Sequence, residues 1–196
     1  MLISKKYKNK KVAIYGMGIT GLSVAKIFKR LNAKALCWDD NKQARKIAKN
    51  FNYKIDKFWL SKKEIDTIVV SPGIDINKCK IKKFLNKNKK KIITDLDLFF
   101  ELNKDSFIIS ITGTNGKSTT CKIIEAILKT ANYQAKTVGN IGNPILSLKK
   151  QNKKNILILE VSSYQLQYSR LFKSKHAAIL NISPDHLERH INLKNY

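Results

Sequence analysis

"SITGTNGKSTT", Ser110 to Thr120, nearly spells a nucleotide-binding phosphate loop, but with an unusual glycine spacing. The common loop has a glycine, four residues, then Gly-Lys-Ser/Thr, so that backbone N–H groups cradle phosphates and the lysine reaches the outer ones. Here Gly116-Lys117-Ser118 is in place, while Ile111 stands where the first glycine belongs; the nearest other glycine is Gly113. The surroundings are still those of a phosphate cradle. Upstream, "FIISI" is an apolar run that predicts a buried strand. Downstream, Ile123, Ile124, Ile127 and Leu128 recur at helical spacing. Lys117 and Ser118 therefore fall at a helix start, where N–H dipoles favour an anion and the lysine adds a point charge. A charge-assisted hydrogen bond of that kind contributes about 1.5–3 kcal/mol. The Ser118 hydroxyl can also ligate Mg²⁺. The loop is read as an ATP or GTP site.

Working outward, strand and helix patterns alternate along the chain. "KVAIYG" predicts a strand, "ITGLSVAKIFKRL" a helix, "KALCWDD" a strand, "NKQARKIAKNF" a helix, and "IDTIVVSPG" a strand stopped by Pro72-Gly73. A lysine-rich amphipathic segment and the short strand "KIIT" complete a first unit. "DLDLFFELN" predicts a bridging helix with Asp95 as its N-cap. A second series follows, with "FIISITG", "NILILEVSS" and "HAAILNIS" as buried strands. The expected fold is α/β, with two mostly parallel-sheet units spanning residues 1–93 and 94–196. The second unit has few elements for a closed sheet, and the sequence stops soon after a motif, which points to truncation.

The first unit carries its own glycine motif. In "GMGITG", Gly16, Gly18 and Gly21 match G-x-G-x-x-G between a strand and a helix, and Asp39-Asp40 ends the next strand. Such glycines let the backbone approach a pyrophosphate, while the acid can hold ribose hydroxyls. On residues alone this is a dinucleotide site, NAD included, or a tight turn that needs small residues for packing.

Composition excludes several classes. In 196 residues, 43% are hydrophobic and 27% charged, enough to bury a core and not a disordered chain's balance. No apolar run approaches the roughly 18 residues of a membrane helix, and the basic N-terminus has no signal-peptide core. Cys37, Cys79 and Cys121 lack metal-type spacing and read as reduced thiols of a cytoplasmic protein. The net charge of +25 invites a nucleic-acid partner. However, the charge is mostly lysine spread along the chain, and no nucleic-acid motif accompanies it. It is read as a basic surface, with no nucleic acid, no membrane insertion and a monomeric state.

Two clusters sit at later strand ends. Glu160 ends "NILILE", where a second Mg²⁺ contact belongs beside a phosphate loop. "LNISPDHLERH" follows the last strand. His186 and His190 stand four apart, but Leu187 follows the first histidine where a zinc protease needs Glu, so that reading is set aside.

"ITGTNGKST", "LEVSSYQL" and "LNISPDHLERH", in that order, resemble the Mur ligase superfamily, which uses this shorter G-T-N-G-K-S/T loop. "GMGITGLS", "SPGI", "TDLDLFF", "GNIGNP" and "SSYQL" bring the resemblance closest to its D-glutamate-adding branch. It implies a Rossmann-like N-terminal domain that binds UDP-sugar rather than NAD, followed by part of a phosphate-loop-containing central domain. ATP would be held by Gly113, Thr114, Asn115, Gly116, Lys117, Ser118 and Thr119. Ser118, Glu160 and His186 would be Mg²⁺ ligands, and Lys117, Glu160 and His186 catalytic. Ile19, Thr20, Asp39, Asp40, Asn41, Ser71 and Asn140 would line the UDP-sugar site, with Asp40-Asn41 departing from the Thr-Arg often seen in relatives. The implied reaction is ATP-dependent joining of D-glutamate to UDP-N-acetylmuramoyl-L-alanine through an acyl phosphate, in cytoplasmic peptidoglycan precursor synthesis. The resemblance also implies a carbamylated lysine and a D-glutamate-binding domain beyond Tyr196, so this chain is expected to be inactive alone. The alternatives are a neighbouring Mur ligase, a folylpolyglutamate synthase-like ligase, or a nucleotide-binding piece without catalysis.

Overall fold

The computed structural model describes residues 2–60, 64–139, 145–147, 155–194 and 196. After the short helix α1 (Leu2–Tyr7), the first unit runs β1 (Lys11–Tyr15), α2 (Ile19–Arg30), β2 (Lys34–Trp38), α3 (Lys42–Asn50), β3 (Thr67–Val70), α4 (Lys82–Lys87) and β4 (Ile92–Ile93). Its strands form one parallel sheet in the order β2-β1-β3-β4. Helix α5 (Asp95–Leu102) leads into the second unit: β5 (Phe107–Thr112), α6 (Lys117–Thr130), β6 (Ala135–Gly139), β7 (Ile156–Glu160), α7 (Ser163–Gln167), β8 (His176–Ile179) and α8 (Leu187–His190). That sheet is also parallel, ordered β6-β7-β5-β8.

Strands β1, β3 and β7 are buried apolar runs, as parallel sheets covered on both faces require; β8, expected as a buried strand, is instead exposed along its length, because it is the edge of its sheet and pairs with β5 alone among the described residues. Val12, Ala13, Ile14 and Tyr15 are fully buried, as are Leu157, Ile158 and Leu159. In α2 the apolar residues Val24, Ala25, Ile27 and Phe28 are buried. Helix α6 is different. Ile123 and Ile127 are exposed, and only Ile124 and Leu128 join Cys121 against the sheet. Strand β6 and helices α7 and α8 lie outside the sequence expectation.

The two sheets share one apolar cluster. It runs from Val12 and Ile14 through Phe28 on α2 and Leu96, Leu98 and Phe99 on α5 to Ile108, Leu157 and Leu159. Helix α5 is thus embedded rather than a linker. Its N-cap is Thr94, not Asp95. The Thr94 side chain accepts from Asp97 N–H, and Asp97 reaches back to Thr94 N–H, a capping box. The expectation failed by one residue because the box needs the carboxylate three positions after the cap, which only Thr94 and Asp97 satisfy.

Asp95 is buried instead. One carboxylate oxygen accepts from Gln165 Nε2 at 3.3 Å, the other has no hydrogen-bond partner, and burial pushes its pKa up to about 6. An unfolded aspartate titrates near 3.9, so the folded state holds this proton more tightly. The stabilisation is fully present below about pH 4 and is lost as pH rises through about 6. Asp95→Asn keeps an acceptor for Gln165 and carries no charge. It is expected to stabilise the fold by up to about 3 kcal/mol near pH 8 and to leave it almost unchanged below about pH 4, as read from urea midpoints. An equal shift at both pH values would count against a buried charge as the cause.

Candidate phosphate and nucleotide sites

Both candidate sites lie at the carboxyl ends of their sheets, where strand order reverses around the first strand. That is where open α/β sheets bind ligands. In the first unit, β1 feeds the glycine turn into α2 and is flanked by β2 and β3. Gly21 is packed so closely that an added Cβ would stand 1.8 Å from the Gly16 carbonyl oxygen, so this turn accepts no side chain there. The Ser71 hydroxyl, after β3, donates to the same carbonyl at 2.8 Å. Ile19 is 74% exposed at the first turn of α2, and Thr20 beside it is half-buried.

The acidic end of β2 is tied down from several sides. Asp39 accepts from Met17 N–H at 2.6 Å and Asn41 N–H at 2.8 Å, which holds the glycine turn against β2. Asp40 accepts from the Tyr15 hydroxyl at 2.8 Å and Trp38 Nε1 at 3.2 Å. Asn41 caps α3 by accepting from Gln43 N–H. Arg45 donates to the Asp39 and Asp40 carbonyls and lies over the Trp38 ring, 4.5 Å from its centroid. Ile19, Thr20, Asp39, Asp40, Asn41 and Ser71 therefore gather on one sheet edge. Asn140 lies outside the described residues.

In the second unit the loop from β5 to α6 has Gly113 and Gly116 at positive φ, 141° and 82°, and Gly116 is the N-cap without a side-chain cap bond. The first N–H groups of α6 thus face outward for an anion. Lys117 folds back, donating to the Gly113 and Thr114 carbonyls at 2.7 and 2.8 Å. The loop is braced by the residues after β8. Asn115 N–H donates to Asn181 Oδ1, Asn181 Nδ2 donates to the Asn115 carbonyl, and Ser183 N–H donates to Thr114 Oγ1. Ser118 Oγ donates to Glu160 Oε2 at 2.7 Å. Glu160 is buried, and among the described residues it forms no ion pair. A hydroxyl and a carboxylate, both hard oxygen donors, fit a Mg²⁺ ion at this point. Thr119 follows in the first turn of α6.

His186 stands apart from that pair. It sits at positive φ as the N-cap of α8, packs against Tyr164 with ring centroids 4.7 Å apart and planes tilted by 43°, and lies beside Asp185 and Glu188. Among the described residues no hydrogen bond or ion pair joins it to Ser118 or Glu160, and no cluster of three His, Cys, Asp or Glu side chains could hold a metal. His190, which the zinc reading would have used, is buried and shares a 3.0 Å hydrogen bond with Ser163 Oγ. It lines a cavity of about 260 Å³ beside the phosphate loop, with Thr112, Gly113, Ser163, Gln167, Asn181 and Tyr196 among its walls. This wall was missed from sequence. The signal was present, because Ser162-x-x-Gln165 is a capping box that starts α7 and aims Ser163 inward. All three cysteines are free, and burial pushes Cys37 up to about 12. No helix among the described residues is long and apolar enough to cross a membrane.

Residues 10–93 match the MurD-like N-terminal domain of Mur ligases, and residues 111–196 match the Mur ligase middle domain. A UDP-N-acetylmuramoylalanine--D-glutamate ligase from Wolbachia pipientis wMel is 37% identical over 97% of this chain and 38% of its own length. The enzymes of that name from Buchnera aphidicola subsp. Acyrthosiphon pisum (strain Tuc7) and Clostridioides difficile (strain 630) are 40% and 36% identical, over 43% and 44% of their lengths. The chain thus spans about two fifths of the length of these curated relatives. Among solved structures, the UDP-N-acetylmuramate:L-alanyl-gamma-D-glutamyl-meso-diaminopimelate ligase from Neisseria meningitides superposes with a TM-score of 0.53 at 14% identity. The match covers 94% of this chain and 64% of that one, a likeness of fold.

Proposed function

The chain belongs to the Mur ligase family, being built of its N-terminal and middle domains, and from that premise we propose that it is the UDP-sugar- and ATP-binding part of a ligase joining D-glutamate to UDP-N-acetylmuramoyl-L-alanine. The observation that carries this reading is the pairing of two glycine loops, each at the carboxyl edge of its own parallel sheet, over one continuous core. One anionic substrate can then lie with its nucleotide on the first loop and its carboxylate toward the second. The name borne by relatives at 36–40% identity supplies the substrates.

In this reading Ile19, Thr20, Asp39, Asp40, Asn41 and Ser71 line the uridine diphosphate site, and Asn140 is assigned to the same substrate. Residues 113–119 hold the ATP polyphosphate. Lys117 exchanges its two loop carbonyls for phosphate oxygens, and the N–H groups of α6 take up the rest of the charge. Ser118 and Glu160 hold Mg²⁺, which offsets the repulsion between polyphosphate and carboxylate when bound. His186 is assigned to the same reaction centre. A carboxylate oxygen then takes the terminal phosphoryl group as ADP leaves, and the amine of D-glutamate later displaces phosphate to form the amide.

Calorimetric titration of the chain with UDP, UDP-N-acetylmuramoyl-L-alanine and NAD tests the assignment of the first loop. Both uridine ligands are expected to bind and NAD to bind more weakly. Tighter NAD binding would reverse the reading in favour of a dinucleotide site.

A further inference from the structure

We propose that Arg189 is a positioning residue that sets the distance and angle between the two ligand sites. It rests on the functional reading above, in which one substrate spans both units. Arg189 is 9% exposed, on α8 between His186 and His190. Its Nη2 donates to the carbonyls of Ile74 at 2.8 Å and Pro72 at 3.3 Å, in the turn that follows β3 of the first unit. Its Nε donates to Gln167 Oε1 at 2.7 Å, at the end of α7 in the second unit. The guanidinium also lies 5.0 and 5.5 Å from the ring centroids of Tyr164 and Tyr168.

The two ends of this bridge reach the two candidate sites within a few bonds. On one side, Ile74 N–H closes the turn onto the Ser71 carbonyl, and the Ser71 hydroxyl holds Gly16 of the first glycine loop. On the other side, Tyr164 packs against His186, and Gln167 lines the cavity beside Gly113. Only a planar guanidinium can serve two carbonyls and an amide in fixed directions while stacking on rings; an ammonium offers a point charge without that fork. Tyr168 supports the same seam by accepting from Ile76 N–H at 3.3 Å.

A ligand that touches both sites gains affinity over one that touches a single site only when the spacing suits both contacts. Comparison of UDP, which reaches only the first site, with UDP-N-acetylmuramoyl-L-alanine therefore isolates the bridge. In Arg189→Gln, UDP affinity is expected to stay within about 3-fold, while the extra affinity of the longer ligand falls by about 10-fold. Arg189→Lys is expected to resemble Arg189→Gln, because charge without the fork does not restore the geometry. A general loss of structure would weaken both ligands together, and a ratio unchanged from the parent would overturn the proposal alone. If the parent chain itself shows no gain for the longer ligand, the functional reading fails and the proposal with it. Should both Arg189 variants fail to fold, Gln167→Leu, which strips one acceptor from the arginine, is expected to lower the same ratio by a smaller factor. No change there would also overturn the proposal.

Discussion

Lys117→Ala is expected to lower affinity for Mg²⁺-ATP by about 10²–10³-fold while leaving the fold intact. Two charge-assisted hydrogen bonds, each contributing about 1.5–3 kcal/mol, account for a loss of that size. The fold is spared because, among the described residues, the ammonium donates to the Gly113 and Thr114 carbonyls of its own loop, and solvent can replace both contacts. Thermal unfolding should therefore move little, as for surface substitutions, within about 0.5 kcal/mol. Titration with ATP and Mg²⁺, run beside a melting curve, reads both quantities. Near-parent affinity in a folded variant would remove the phosphate role from this loop.

The second large effect is structural. Asp97 is fully buried, and its carboxylate accepts six hydrogen bonds from the described residues. One oxygen takes Thr94 N–H and Oγ1. The other takes Ser169 Oγ and the successive N–H groups of Arg170, Leu171 and Phe172. This carboxylate clamps the start of α5 to the connection between α7 and β8. Asp97→Ala leaves those donors without this acceptor and is expected to cost about 3–5 kcal/mol of stability. Asp97→Asn keeps one carbonyl oxygen for the 169–172 turn but sets an N–H₂ against Thr94 N–H, so its cost should be intermediate. Urea denaturation at neutral pH measures both. A loss below about 1 kcal/mol for the alanine variant would show that solvent or a local shift satisfies the turn.

Much of this arrangement was legible in the residues, for local physical reasons. A strand, a glycine turn and a helix start are contiguous in sequence, so both glycine loops could be read from "GMGITG" and "GTNGKS" before any tertiary contact was known. The pairing of Ser118 with Glu160 was an inference from strand ends; the parallel register, with Ile111 opposite Glu160, brings them into contact. The helix α5 cap was read one residue too late, because Asp95 and Thr94 are both good caps and only the reach of Asp97 decides between them. Ile123 and Ile127 followed helical spacing but lie on the exposed side of α6, since periodicity tells which residues share a face and not what that face meets.

The sequence by itself determined the α/β class, the two glycine loops, the lysine and serine at the start of α6 and the family resemblance, because each is written in residues close together along the chain. Only the tertiary structure decided the roles of residues whose partners lie far away in sequence. Asp39 turned out to hold the glycine turn through Met17, Asp97 to hold a turn 72 to 75 positions away, and His190 rather than His186 to line the cavity beside the phosphate loop. Arg189 was one of four arginines in a lysine-rich chain until the fold set it between two carbonyls of one unit and an amide of the other. The physical reason is the same in each case. A buried polar group must find a hydrogen-bond partner, and which partner is within reach is settled by the packing of the two sheets against their shared core.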